Sequence, residues 1–182
     1  MNFIETPIKG LLVIEPKIWP DARGYFFESY NQRLFKEAGI NVDFVQDNQS
    51  LSQKGVLRGL HAQAPPFAQG KLVRVIKGKV LDVVVDVRKG SPTYGQHYSV
   101  ELSGQNQRIF WVPPGFLHGF ATLEDETIFT YKVSGFYNKA SEVGVRWDDQ
   151  SFSIDWALER GDILVSEKDS QLPDFNDFVS PF

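Results

Sequence analysis

From Leu11 to Val133 the chain is a succession of short runs in which apolar, β-branched residues dominate with period two, separated by Gly, Pro, Asn or Asp. Leu11–Ile14, Lys71–Ile76, Val80–Val87, His97–Leu102, Arg108–Val112, His118–Thr122 and Thr127–Val133 all carry this pattern, which suits strands whose side chains alternate between two faces. Helix is scarce. Asn31–Ala38 is the best helical segment, with Asn31 as N-cap and Gly39 as stop, and Ser151–Ile154 is long enough for one turn. Strands at regular spacing without intervening helices predict an all-β sandwich or jelly roll rather than a parallel α/β sheet. Lys77-Gly78-Lys79 reads as a hairpin, and Pro113-Pro114-Gly115 ends one strand before His118 enters the next. No repeat or linker divides the 182 residues, so one domain is expected over residues 1–182.

Composition narrows the partners. With 19 Lys+Arg against 23 Asp+Glu the net charge is -4, which gives no basic footprint for nucleic acid. Cysteine is absent, which removes disulfides, thiolate nucleophiles and zinc–thiolate sites and agrees with a cytoplasmic location. The N-terminal residues show no basic segment followed by an apolar run, and no stretch approaches the ~20 apolar residues of a membrane span. No membrane association is expected.

The chemistry concentrates in Val56-Leu57-Arg58-Gly59-Leu60-His61 and Lys71-Leu72-Val73-Arg74-Val75, which read as neighbouring strands. Histidine can take and return a proton near neutrality, while flanking cations can hold phosphate and stabilise a developing oxyanion. That combination suits carbanion chemistry on an anionic substrate. Three histidines are present, His61, His97 and His118. His97 stands in a polar strand segment and reads as structural. Taken alone, a sheet histidine such as His61 is more often a satisfied core residue, and Tyr131 reads as an ordinary sheet aromatic.

Longer signatures add specificity. Gly55–His61, Lys71–Val75, Asp82–Arg88 with Ser91-Pro92-Thr93-Tyr94-Gly95, Val112–Phe120, Asp21–Tyr30, Gln46–Ser50 and Ser166–Asp169 resemble, over nearly the whole chain, the successive motifs of one family. It is the deoxysugar epimerases typified by dTDP-4-dehydrorhamnose 3,5-epimerase. The resemblance implies a cupin-type jelly roll and a homodimer. It also implies an activity, inversion of C3 and C5 in a dTDP-linked 4-keto-6-deoxysugar. In that substrate the carbonyl acidifies the C–H bonds on either side. By the same resemblance His61 is the base, Asp169 its carboxylate partner, Lys71 the stabiliser of the enolate oxygen and Tyr131 the proton donor on the opposite face. Arg58 and Arg23 would grip the diphosphate, for which a guanidinium fork is suited. Gln46, Asn48, His118, Glu142 and Lys168 would line the sugar and diphosphate cleft, and Tyr137 would stack on the thymine. Arg23 and Glu28 would arrive from the opposite subunit. Read without the motif, Arg23-Gly24 is a plain turn, Glu28 a solvated strand edge and Asp169 a turn cap.

Many cupins hold a metal through clustered histidines, yet where a His-x-His pair would fall the sequence reads His61-Ala62-Gln63. Neither a metal nor another cofactor is expected. Three alternatives remain open: a single-site epimerase, a 3,4-ketoisomerase of the same fold and a non-catalytic sugar-binding cupin.

Overall fold

A computed structural model describes residues 1–182. Its strands in chain order are β1 (Asn2–Glu5), β2 (Leu12–Glu15), β3 (Trp19–Asp21), β4 (Gly24–Phe26), β5 (Gln46–Ser52), β6 (Val56–Gln63) and β7 (Lys71–Lys77). There follow β8 (Lys79–Asp86), β9 (His97–Ser103), β10 (Ile109–Val112), β11 (Phe116–Thr122), β12 (Thr127–Val133), β13 (Glu142–Gly144) and β14 (Leu164–Val165). Two short α-helices are present, α1 (Gln32–Glu37) and α2 (Glu167–Ser170).

One sheet has the order β1-β2-β10-β7-β12-β5 and the other β13-β6-β11-β8-β9, with β14 added parallel to β6. Within these, β5 to β12 divide as β10-β7-β12-β5 and β6-β11-β8-β9, the double Greek-key order of a jelly roll. The expected all-β jelly-roll sandwich is therefore the observed one. Two details differ from expectation. β6 and β7 belong to different sheets, so His61 and Lys71 face each other across the sandwich instead of lying on adjacent strands. Lys77-Gly78-Lys79 likewise makes no hairpin, because β7 pairs with β10 and β12 while β8 pairs with β9 and β11. It is a corner that carries the chain from one sheet to the other.

Apolar residues fill the space between the sheets and also cover both outer faces. Val80 and Val84 of β8 join Val73, Val75, Phe110, Phe120 and Phe129 in the interior cluster. Val83 and Val85 of the same strand pack outward beneath a C-terminal layer that includes Phe152 and Trp156. On the other sheet Leu72, Ile109 and Trp111 pack outward against Phe35 of α1 and Ile40. Helix α1 begins as the sequence predicts: the Asn31 side chain accepts from the backbone N–H groups of Arg33 and Leu34. It ends at Gly39, whose φ of +87° suits glycine. Ser151–Ile154 forms no helix, only the tail of a turn over residues 150–152, since the Asp149 side chain takes the Ser151 N–H and closes the chain locally. No helix is long and apolar enough to cross a membrane.

Candidate active site

The site forms where β6 departs from regular pairing. His118 of β11 opposes His61 and Phe120 opposes Arg58, so two steps on β11 span three on β6, which is a β-bulge. Because one extra residue reverses the alternation of faces, Leu57 and Leu60 both pack outward while Arg58 and His61 both reach the interior cavity. Glycine is required at the bulge. Gly59 has φ +107°, and a Cβ there would sit 2.5 Å from the His118 carbonyl oxygen and 2.6 Å from the Gly119 Cα.

Two connected spaces lie between the sheets at this end. The deeper, about 130 Å³, is lined by Ser50, Arg58, His61, Lys71, His118, Phe129 and Tyr131 among others. The outer, about 290 Å³, is lined by Gln46, Asn48, Gln63, Gln69, Tyr137 and Glu142. His61, Lys71 and Tyr131 border both. A larger groove of about 400 Å³ along the first sheet is lined by Arg74 and Lys132, and also by Asn48 and Tyr131, but by neither His61 nor Lys71.

His61, about a quarter exposed, is backed by the buried Asp169, with Nε2 3.6 Å from Oδ1. That is an ion-pair separation, longer than a hydrogen bond. The other carboxylate oxygen accepts the Gly59 N–H at 3.1 Å, so the bulge and the carboxylate fix each other. Ser166 caps α2 by accepting the Asp169 N–H, which places Asp169 on a short rigid turn. Burial opposes ionisation of Asp169, but His61 and the Gly59 N–H outweigh it and hold the carboxyl below its ordinary value.

On the opposite sheet, Lys71 and Tyr131 project inward from β7 and β12, adjacent strands on which Tyr131 opposes Val73 and Lys71 opposes Val133. Burial pushes the Lys71 ammonium down to about 8, against the attraction of Asp82 and Glu142. Burial raises the Tyr131 phenol, with Arg58 pulling the other way; at neutral pH it keeps its proton. Arg58 donates weakly to Ser52 Oγ at 3.4 Å. On β5, Gln46 Nε2 donates to Asn48 Oδ1 at 2.8 Å, a lateral brace along the cleft wall. Glu142 and Lys168 pair at 2.6 Å at the mouth, where Tyr137 is half exposed.

Arg23 and Glu28 stand apart from this constellation. Arg23 sits at the tip of the β3–β4 hairpin, 90% exposed and paired only with Asp21, and Glu28 accepts from Asn31 ahead of α1. His97 lies on β9 opposite Val85, outside the cavity. Asp82, to which the sequence reading gave no role, is completely buried, and both its oxygens lie 2.9 Å from His118 Nε2. A lone carboxylate in the valine run 80–85 was the available signal. No group of three His, Cys, Asp or Glu side chains is arranged to hold a metal ion.

The chain matches the family model described as dTDP-4-dehydrorhamnose 3,5-epimerase over residues 5–177. A dTDP-4-dehydrorhamnose 3,5-epimerase of Shigella flexneri is 53% identical over 170 residues, 93% of each chain. One of Methanothermobacter thermautotrophicus is 51% identical over 92% of this chain and 91% of its own. Among solved structures, the dTDP-6-deoxy-D-glucose-3,5-epimerase of Legionella pneumophila in complex with dTDP-4-keto-L-rhamnose is 47% identical. It superposes with a TM-score of 0.94 over 98% of this chain and 94% of that one. By sequence over nearly its whole length and by its jelly-roll architecture, the chain belongs to the dTDP-4-dehydrorhamnose 3,5-epimerase family.

Proposed function

We propose that this chain is a double epimerase that converts dTDP-4-dehydro-6-deoxy-D-glucose to dTDP-4-dehydro-L-rhamnose. One observation carries the mechanism: the imidazole of His61 enters the cavity from one sheet, while the phenol of Tyr131 and the ammonium of Lys71 enter from the other. Inversion needs this two-sided arrangement. His61 removes the proton from C3 or C5 and the electron pair moves into the C4 carbonyl. The resulting enolate oxygen is stabilised by Lys71, a cation in a partly water-excluded site. Tyr131 then returns a proton on the other face, and both groups regain their starting states by exchange with solvent. Asp169 stabilises the imidazolium and orients the ring. Proton removal and return change no oxidation state, so the proposed steps require no redox cofactor, and the proposed residues use no metal.

Arg58 takes the diphosphate, and Gln46, Asn48, His118 and the Glu142–Lys168 pair line the cleft toward Tyr137, which stacks on the thymine. Arg23 and Glu28 serve the site of a second copy in a homodimer. In support, Arg23 lies on a hairpin whose Trp19, Tyr25 and Phe26 are all exposed. The substrate assignment is supported by the bound dTDP-4-keto-L-rhamnose of the Legionella relative. The cytoplasm is the proposed compartment. Proton NMR of dTDP-4-dehydro-6-deoxy-D-glucose with the protein in heavy water tests the reading: deuterium should enter both C3 and C5 as the rhamnose-configured product forms. Label at one carbon alone would make the protein a single-site epimerase, and migration of the carbonyl would make it a ketoisomerase.

A further inference from the structure

The molecule holds two imidazole–carboxylate pairs a cross-strand step apart, and they differ in geometry. His61 and Asp169 are loosely apposed at 3.6 Å, whereas His118 Nε2 lies 2.9 Å from each oxygen of Asp82. Asp82 has no accessible surface. Equal distances to both oxygens fit one N–H shared by two acceptors, the arrangement in which Nε2 carries the proton and the carboxylate receives it. Burial drives His118 below its ordinary value against the pull of Asp82, which keeps the ring neutral. Burial also raises Asp82, opposed by His118 and the nearby Lys71 ammonium.

A neutral ring protonated at Nε2 leaves Nδ1 as a bare acceptor. That nitrogen makes no hydrogen bond within the protein. Thr122 Oγ1 and Asp169 Oδ1 are the only buried side-chain polar atoms without a partner, so Nδ1 is open to the cavity that His118 lines. A bare acceptor repels phosphate oxygens and the ketone oxygen, which are themselves acceptors, and attracts O–H donors.

We infer that Asp82 is a positioning residue for sugar recognition: it fixes His118 as the Nε2–H tautomer, and Nδ1 accepts a hydrogen bond from the C2 or C3 hydroxyl of the sugar. This rests on the epimerase reading and sharpens it, for it assigns His118 to the sugar and not to the diphosphate. Lys71, Arg58 and Tyr131 supply donors in the same cavity, and beside the base His61 the His118 ring offers the sugar a neutral acceptor.

Two measurements test the inference, and neither depends on turnover. Long-range proton–nitrogen correlation spectra of protein labelled with 15N-histidine at neutral pH should show His118 with Nε2 protonated and Nδ1 bare, the signal being assigned by its loss in His118→Gln. A protonated Nδ1 in the unsubstituted protein, as neutral tautomer or imidazolium, overturns the inference. Calorimetry should then show that dTDP-6-deoxyglucose, which has no ketone to react, binds about tenfold more tightly than its 2-deoxy or 3-deoxy congener. In Asp82→Asn the carboxamide can also donate, the tautomer is no longer fixed, and that preference should vanish while affinity for dTDP alone is kept. A purely structural Asp82 would leave the preference intact, and that result also overturns the inference. Failure of the epimerase reading would show separately, as absence of deuterium exchange in the ketone substrate.

Discussion

Replacing Lys71 with methionine should make the fold more stable and the enzyme far slower. In the folded chain the ammonium falls from 10.5 to about 8, chiefly through burial. At 1.36 kcal/mol per unit the full difference is about 3.4 kcal/mol of penalty for carrying the proton in the folded state. The side chain keeps some contact with solvent, which reduces the expected gain to about 1–3 kcal/mol. The sign follows from linkage. Below pH 8 both folded and unfolded chains hold the proton and the whole penalty applies. Between 8 and 10.5 the unfolded chain binds more of the proton than the folded one, so the stability of the unsubstituted protein rises with pH. Above 10.5 neither holds it. Lys71→Met, near-isosteric and uncharged, should therefore exceed the unsubstituted protein most at neutral pH, with the advantage shrinking as pH climbs toward 10.5. Guanidinium unfolding followed by tryptophan fluorescence, at matched protein concentration and at pH 7 and 10, reads the difference. Turnover should fall by on the order of 10²–10³, the usual effect of removing an oxyanion donor. A variant no more stable than its parent at pH 7, or an advantage that does not shrink with pH, would refute the reasoning.

His61→Ala should abolish deuterium entry at both C3 and C5 while dTDP binding persists through Arg58 and Tyr137; exchange at either carbon would remove His61 as the base. Tyr131→Phe keeps the ring against Phe129 and deletes the proton, so label should still wash into at least one carbon with retained configuration. Net product should fall by about a hundredfold or more, and a near-normal rate would place the donor elsewhere. Exhaustive chelation should leave turnover unchanged, since the site offers two imidazoles and no thiolate; loss of activity restored by one divalent ion would overturn the metal-free mechanism.

The eight core strands were legible where one or both faces are apolar. Val80–Val87 and His97–Leu102 anticipate β8 and β9 to within one residue at either end, because the valines of β8 face a core on each side and Val100 and Leu102 of β9 alternate with the exposed Glu101. β5 was illegible for the opposite reason. Its sequence, Gln46-Asp47-Asn48-Gln49-Ser50-Leu51-Ser52, turns Gln46, Asn48 and Ser50 toward the cleft and Asp47 and Leu51 outward, so a wet interior erases the alternation that marks a strand. The partition of strands between sheets was also hidden. Lys77-Gly78-Lys79 has hairpin composition, and only the pairing of β7 and β8 with other partners makes it a corner. Of the candidate residues, Asp169 illustrates the limit most plainly: 108 positions from His61 in sequence, it meets the imidazole through α2 packed on β6, a contact that no local pattern encodes. Asp82 was visible as a charge inside an apolar run, but its partner His118 lies on the next strand, and only the register pairs them.

The extra residue in β6 works as a phase shifter. Arg58 and His61 are three positions apart, an odd interval that an unbroken strand would split between core and cavity, and the bulge at Gly59 restores them to one side. Copying the proposed catalytic side chains onto another jelly roll should not transplant the activity unless the inserted position came with them. Deleting Gly59 from between Arg58 and His61 would leave composition and chemistry almost untouched. The two would still face the same way, two positions apart, but without the offset their reach along the cleft and the Gly59 N–H that anchors Asp169 would be lost. The spacing of this motif is thus itself a functional element, and a search for distant relatives would do better to require the odd interval and its glycine than the identities of the residues around them.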